Sequence, residues 1–377
     1  MNITIYTLPF HRNYGGILQS FALTKVLEKQ GHKVLVSTCF NVAPLKVRAK
    51  SKVRAKRKIK GVIKWFLMPI LIRLGLKKQE KRRDRVYNYS SFYQTHFPNA
   101  LPVFHSTAEL KNFYNDFKPQ VCITGSDQVW RRAYAPNIYN SFLDFADKNK
   151  TRKVAYAASF GVDHWELTPE ETERCAQLIQ EFSIVSTRED SGVDLCRQYL
   201  HKEAFHVLDP TLLAGPDVFR PLFKDLEIKG GVFSYVLDEN PNKQKMLDTV
   251  CQTLQMQASD YFSEKTDEKA VFISPNEWVG HFANCDFVFT DSFHGTCFAI
   301  MFNKPFVAIY NAGRGNARFT SLLKSLDLMD RLVDESADVT ALLNTPIDYD
   351  RVNRRLEELR EFSMGILNKG IYGSEAL

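Results

Sequence analysis

The run TDSFHGTCFAIMFNKPFVAIY, residues 290–310, sets His294 beside Asp291, Ser292 and Gly295, between an apolar strand-like stretch and an apolar helix-like one. An imidazole at such a junction can donate or accept a proton near neutral pH, and the helix start behind it offers backbone N–H groups to an anion. The bland alternative is a buried histidine capping that helix. Cys297, three residues on, would allow a Cys–His nucleophile, but it is flanked by Phe298 and begins an apolar run.

Similar polar clusters follow other strand-like runs. HRNYGGILQSFALTKVLEKQG brings Asn13, Gly15, Gly16 and Gln19 to the start of a helix pattern, where a glycine pair lets backbone approach an anion or simply makes a tight turn. TGSDQVW offers Ser126, Asp127 and Gln128 as hydrogen-bonding groups and Trp130 as a stacking surface for a sugar; Ser126 or Asp127 as a helix N-cap is the plain reading. ASFG ends in Ser159 and Gly161, and TREDSG carries Arg188, a fork for carboxylate or phosphate unless Glu189 or Asp190 pairs with it. NAGRGNARF adds Arg314 and Arg318 with Gly313 and Gly315.

Two series of strands must position these groups. NITIYTL, KVLVS, QVCITG, KVAYAAS, SIVSTRE and FHVLDPT form the first, and GVFSYVL, ASDYF, AVFIS, DFVFTDS and PFVAIY the second. Alternation with helix patterns predicts an α/β protein with two mainly parallel, Rossmann-like sheets facing across a cleft. The expected divisions are residues 1–213, residues 214–345 and a charged amphipathic helix within 346–377 that packs back across both. Open α/β sheets take ligands beyond the carboxyl ends of their strands, where all these clusters fall.

The 377-residue chain is 44% hydrophobic, enough for two cores, and its formal charge of +7 is concentrated in one segment. Residues 46–85 hold 17 Lys or Arg against Glu80 and Asp84, a net +15, which leaves −8 elsewhere. Inside this arm the apolar stretch 65–72 is eight residues long, far short of the ~20 that span a bilayer. Such a wedge with basic flanks suits peripheral contact with an anionic membrane; a solvated basic helix pair packed on the body is the alternative. No nucleic-acid partner is expected, since the block carries neither a reader module nor interleaved aromatics. Seven cysteines without a C-x-x-C pair read as reduced thiols, and the opening MNITIYTLPF reads as a strand rather than a signal peptide, so a cytoplasmic setting is expected.

Taken in order, NYGGILQSFAL, ITGSDQVW, SFLDF, KVAYAASFG, STREDSG, VLDPTLL, DSFHGTCFAIMFNKPFV and RGNARF make the chain resemble the polysaccharide pyruvyl transferase family over most of its length. The resemblance implies a GT-B-like fold. It also implies transfer of a pyruvyl group from phosphoenolpyruvate to two hydroxyls of a hexose in a surface-glycan precursor, with release of phosphate and closure of a cyclic ketal; a polyprenyl carrier, a nucleotide and a polymer stay open as what bears the hexose. That chemistry needs an acid to protonate the methylene carbon, which His294 suits, and cations for a carboxylate and a phosphate, which Arg188, Arg314 and Arg318 suit. Ser292 and the strand-end residues of the first half, Asn13, Gly15, Gly16, Gln19, Ser126, Asp127, Gln128, Trp130 and Ser159, complete the expected substrate-binding set. Phosphoenolpyruvate enters as co-substrate, and neither a metal nor another cofactor is expected. A nucleotide-sugar glycosyltransferase on the same architecture is the alternative reading, and an inactive binding protein a third.

Overall fold

The computed structural model describes residues 1–10, 13–38, 84–97, 104–266, 268–311 and 314–373. The 65–72 wedge and all of the basic arm except its last two residues lie outside the described residues, as do Cys39 and Gly313. Among the described residues no helix is long and apolar enough to cross a membrane, and no group of three His, Cys, Asp or Glu is placed to hold a metal ion.

Strands form where β-branched and aromatic residues cluster between turns: β1 (Asn2–Thr7), β2 (Lys33–Thr38), β3 (Asp84–Tyr87), β4 (Val121–Thr124), β5 (Arg152–Ala158), β6 (Phe182–Thr187) and β7 (Phe205–His206) in the first half. All but β3 form one parallel sheet in the order β2-β1-β4-β5-β6-β7. In the second half come β8 (Val232–Tyr235), β9 (Ala258–Ser259), β10 (Phe262–Lys265), β11 (Lys269–Phe272), β12 (Phe287–Thr290), β13 (Phe306–Ile309) and β14 (Leu332–Val333). Five of these make a second parallel sheet, β14-β13-β12-β8-β9. The protein is thus a GT-B-like pair of Rossmann-like sheets.

In each sheet the strand order reverses once, at β1/β4 and at β8/β12. Loops leaving the carboxyl ends of neighbouring strands diverge at such a point and leave a crevice. The two crevices face each other.

One strand departs from the expected pattern. AVFIS, read above as part of the second parallel series, supplies β11, which leaves that sheet and pairs in parallel with β3 and antiparallel with β10. The partner comes from the last residues of the basic arm, Asp84 and Arg85, and the two that follow.

The halves share an apolar core. Tyr14 stacks on Trp278 with centroids 5.2 Å apart and donates its hydroxyl to the Ile273 carbonyl at 2.7 Å, while Phe219 bridges Phe21 and Phe298 at 5.8 and 5.0 Å. Helix Tyr349–Tyr372 begins beside the second half, where the Tyr349 hydroxyl donates to the Lys304 carbonyl. It ends on the first sheet, where Gly370 sits against Val154 and Ile184 and Arg152 donates to the Ile371 carbonyl at 2.9 Å.

Candidate active site

The cleft between the two crevices has a volume of about 990 Å³ and is lined by segments following β1, β4, β8 and β12, together with Arg314 and Arg318. Two helix starts converge on it. Asn13 caps helix Tyr14–Lys29 by accepting the Gly15 N–H, and Ser292 caps helix Phe293–Met301 by accepting the Gly295 N–H. His294 therefore sits inside its helix rather than capping it, and both N-terminal dipole ends bias the cleft toward anions.

His294 is 5% exposed and lines the cleft. Its Nε2 lies 3.3 Å from Asp209 Oδ2. The same carboxylate oxygen accepts Arg188 Nη1 at 2.8 Å and the Ser126 hydroxyl at 3.2 Å, while Oδ1 accepts the backbone N–H and hydroxyl of Thr211. Burial alone would raise the Asp209 carboxyl, but the charges of His294 and Arg188 and their hydrogen bonds hold it well below the usual carboxylate range. Asp209 stays ionised and fixes the imidazole from behind. On the other side, a Cβ added at Gly15 would fall on Nδ1 and Cγ of the ring. Glycine at 15 is what admits the histidine.

The arginines divide into two classes. Arg188 is buried against Asp209 and, at 3.6 Å, Asp127; burial opposes its charge, and these carboxylates with Glu189 more than offset that. It does not ion-pair with Glu189, whose carboxylate instead accepts the N–H groups of Phe160 and Gly161 at 2.6 and 3.0 Å and fixes the turn after β5. Arg318, 5% exposed, is pushed down to about 10 by burial and by the repulsion of Arg188. The two guanidinium carbons lie 4.9 and 5.3 Å from the centroid of the Phe293 ring. Arg318 Nη2 donates to the Arg314 carbonyl, its Nε has no hydrogen-bond partner, and among the described residues no carboxylate forms an ion pair with it. A buried cation left in this condition is costly until an anion joins it.

Arg314 differs. It is half-exposed, and both Nε and Nη2 are already spent on Asp238, at 2.6 and 2.9 Å. That hydrogen-bonded fork holds the Asp238 carboxyl at about 2. Gly315, with φ 85°, presses its backbone against the Gly161 carbonyl and so joins the loop to the first half.

The remaining expected residues spread over two layers. Asn13, Gly16, Asp127, Gln128 and Ser292 line the cleft, and Gly16 brings its Cα close to Asp127 Oδ2. Gln19 and Ser159 are buried behind it; Gln19 donates to the Gly16 carbonyl at 2.9 Å, and the Ser159 hydroxyl has no partner. Trp130 is fully buried, stacked on Phe142 at 5.1 Å with Nε1 donating to the Ser141 carbonyl, so its ring faces the core and offers no surface to a sugar. The aromatic ring that does reach the cleft there is Tyr134, 41% exposed. Asp291 accepts the N–H groups of Leu237 and Asp238 and pairs with Lys243 at 2.8 Å, a structural tie. Burial pushes the Cys297 thiol well above its ordinary value, with the Asp209 charge adding to it, which keeps the sulfur protonated and removes the Cys–His nucleophile.

Comparison with known proteins gives one strong match. The family profile described as polysaccharide pyruvyl transferase matches residues 13–313. No curated protein matches the chain. Among solved structures, UDP-GlcNAc 2-epimerase from Neisseria meningitidis aligns at 11% identity over 99% of this chain and 96% of that one, with a TM-score of 0.48. A putative UDP-N-acetylglucosamine 2-epimerase from Listeria monocytogenes aligns at 12% identity over 96% and 97%, with a TM-score of 0.46. The glycosyltransferase VinC aligns at 10% identity over 98% and 99%, with a TM-score of 0.45.

Proposed function

Since the chain belongs to the polysaccharide pyruvyl transferase family, we propose that it transfers the pyruvyl group of phosphoenolpyruvate to two hydroxyls of one hexose in a surface-glycan precursor. The observation that carries the donor assignment is the buried Arg318 beside Arg188, which among the described residues has no ion-pair partner. A ligand with a carboxylate and a phosphate supplies the missing negative charge and accepts paired hydrogen bonds.

In this reading the His294 imidazolium gives its proton to the methylene carbon, and the adjacent carbon becomes electrophilic. Asp209, 3.3 Å from Nε2, fixes the ring for that transfer. One sugar hydroxyl adds, phosphate leaves with the C–O bond electrons, and the second hydroxyl closes the ketal. The hydroxyl protons pass to the imidazole and to the departing phosphate, so the sum is phosphoenolpyruvate plus diol giving ketal plus inorganic phosphate. Incubating the full chain with phosphoenolpyruvate and a panel of lipid-linked and nucleotide-linked hexoses, with product mass and phosphate both read, tests it. A product heavier by one pyruvyl ketal is expected; phosphate release without that product, or neither signal across the panel, would sink the reading.

Gly15→Ala is a sharper test of the geometry. The new methyl group meets the imidazole, and a displacement of about 1 Å at a reacting group costs on the order of 10²-fold in rate. Turnover should fall by that factor while phosphoenolpyruvate still binds. An unchanged rate would show that the ring position does not matter.

Peripheral membrane contact through residues 46–85 rests on composition, the +15 segment on a −8 body. Each basic residue near an anionic surface contributes about 1 kcal/mol, and salt screens it. Cosedimentation with phosphatidylglycerol vesicles that is lost as salt rises is the expected result; equal binding to phosphatidylcholine vesicles would rule out the electrostatic part.

A further inference from the structure

The cleft has a second wall that proton transfer and anion binding do not use. In β3 the side chains alternate, so Arg85 and Tyr87 line the cleft while Asp84 and Val86 do not. Tyr87 stands opposite Phe272 of β11 and stacks on it, centroids 4.1 Å apart at 13°. On β10 a register shift between Phe262 and Glu264 brings Phe262 and Lys265 to the same face, although they are three residues apart. Phe262 packs on Phe272 at 4.7 Å. Lys265 reaches over the Phe262 ring at 4.8 Å and pairs with Glu239 at 2.6 Å, also on the cleft. The result is an aromatic floor edged by Arg85, Glu239 and Lys265.

Phosphoenolpyruvate does not suit this floor, because an anion over an aromatic face meets the negative side of the ring quadrupole. A prenyl chain does not suit its edge, where three charged side chains would lose water without gaining hydrogen bonds. A pyranose ring suits both, with a C–H face for the rings and hydroxyls for the charged edge. There is also room, since a site of 990 Å³ is at the upper end of the ~300–1,000 Å³ range for small-ligand sites, and the three-carbon donor leaves most of it open. We propose that the sheet β3-β11-β10 forms the acceptor subsite and that Tyr87 and Phe262 receive the C–H face of a hexopyranose, with the buried Phe272 backing both. This rests on the pyruvyl-transfer reading and gives its acceptor a place.

Saturation-transfer NMR on the full chain, with the methyl pyranosides of glucose, galactose, mannose and N-acetylmannosamine as probes and geranyl phosphate as the lipid probe, tests the assignment. At least one hexoside should receive saturation at its ring C–H protons. In Phe262→Leu, which keeps apolar volume and loses the ring, its affinity should drop about three- to tenfold, and adding Tyr87→Leu should abolish the signal. The affinity for phosphoenolpyruvate, followed by calorimetry, should not change in Phe262→Leu. Hexoside binding that is indifferent to both variants, no hexoside binding at all, or wall-dependent binding of geranyl phosphate alone would each overturn the subsite. Failure of the unaltered chain to bind phosphoenolpyruvate would instead overturn the donor reading, whatever the hexosides do.

Discussion

His294→Gln should lower turnover by about 10²–10⁴-fold, the usual contribution of a positioned general acid, and leave phosphoenolpyruvate binding largely intact. Glutamine keeps an N–H donor for the side facing Asp209, so the carboxylate that also holds Arg188 remains partnered. What it lacks is an ionisable N–H to give up to carbon. Single-turnover phosphate release measures the rate and calorimetry the binding. A loss of less than about tenfold would take proton donation away from His294. Loss of binding with little loss of rate would make the imidazole a charge partner of the substrate instead.

Arg318→Ala should weaken phosphoenolpyruvate binding by about ten- to a hundredfold, as expected when a hydrogen bond to a charged group is removed from a buried site. The substrate-free protein should melt no lower than the unaltered chain. Among the described residues Arg318 has no ion pair to break, and its burial and the repulsion of Arg188, which its removal ends, outweigh the attraction of Asp127 and Glu189. Arg314→Ala should cost less affinity, because that fork is already taken by Asp238 and half-exposed, where such pairs contribute about 0–1 kcal/mol. If Arg314→Ala proved the more damaging of the two, the donor would lie toward the outer loop rather than against Phe293.

The strand ends and the clusters that follow them were legible because both depend on local pattern. β-branched runs broken by polar turns read as parallel strands, and ligand chemistry gathers at their carboxyl ends. Contacts between distant segments left no such mark. Asp209 caps a Pro-started turn by accepting the Thr211 N–H; its other oxygen, turned to His294 and Arg188, comes from the meeting of the halves. The family motif VLDPTLL was the signal that could have marked it as a site residue. Strand β3 is four residues at the end of a basic run, and its partner β11 lies about 180 positions further on, a pairing no local propensity dictates. Trp130 and Tyr134 lie four residues apart, and spacing alone does not tell which ring turns inward. Arg314 and Arg318 carry the same charge four residues apart, and what separates them is tertiary: Asp238, far away in sequence, reaches the half-exposed Arg314, while Arg318 is buried against Phe293.

Helix Tyr349–Tyr372 puts a constraint on biosynthesis. The outer side of β5 and β6 is covered by Gly370 and its neighbours, which a ribosome makes about 185 residues after β6. At about 5–20 residues per second that is a delay of roughly ten to forty seconds. Throughout it Val154 and Ile184 lack the cover that Gly370 gives them, and that apolar side of the nascent first half stays open to a chaperone or to transient collapse until the final helix arrives.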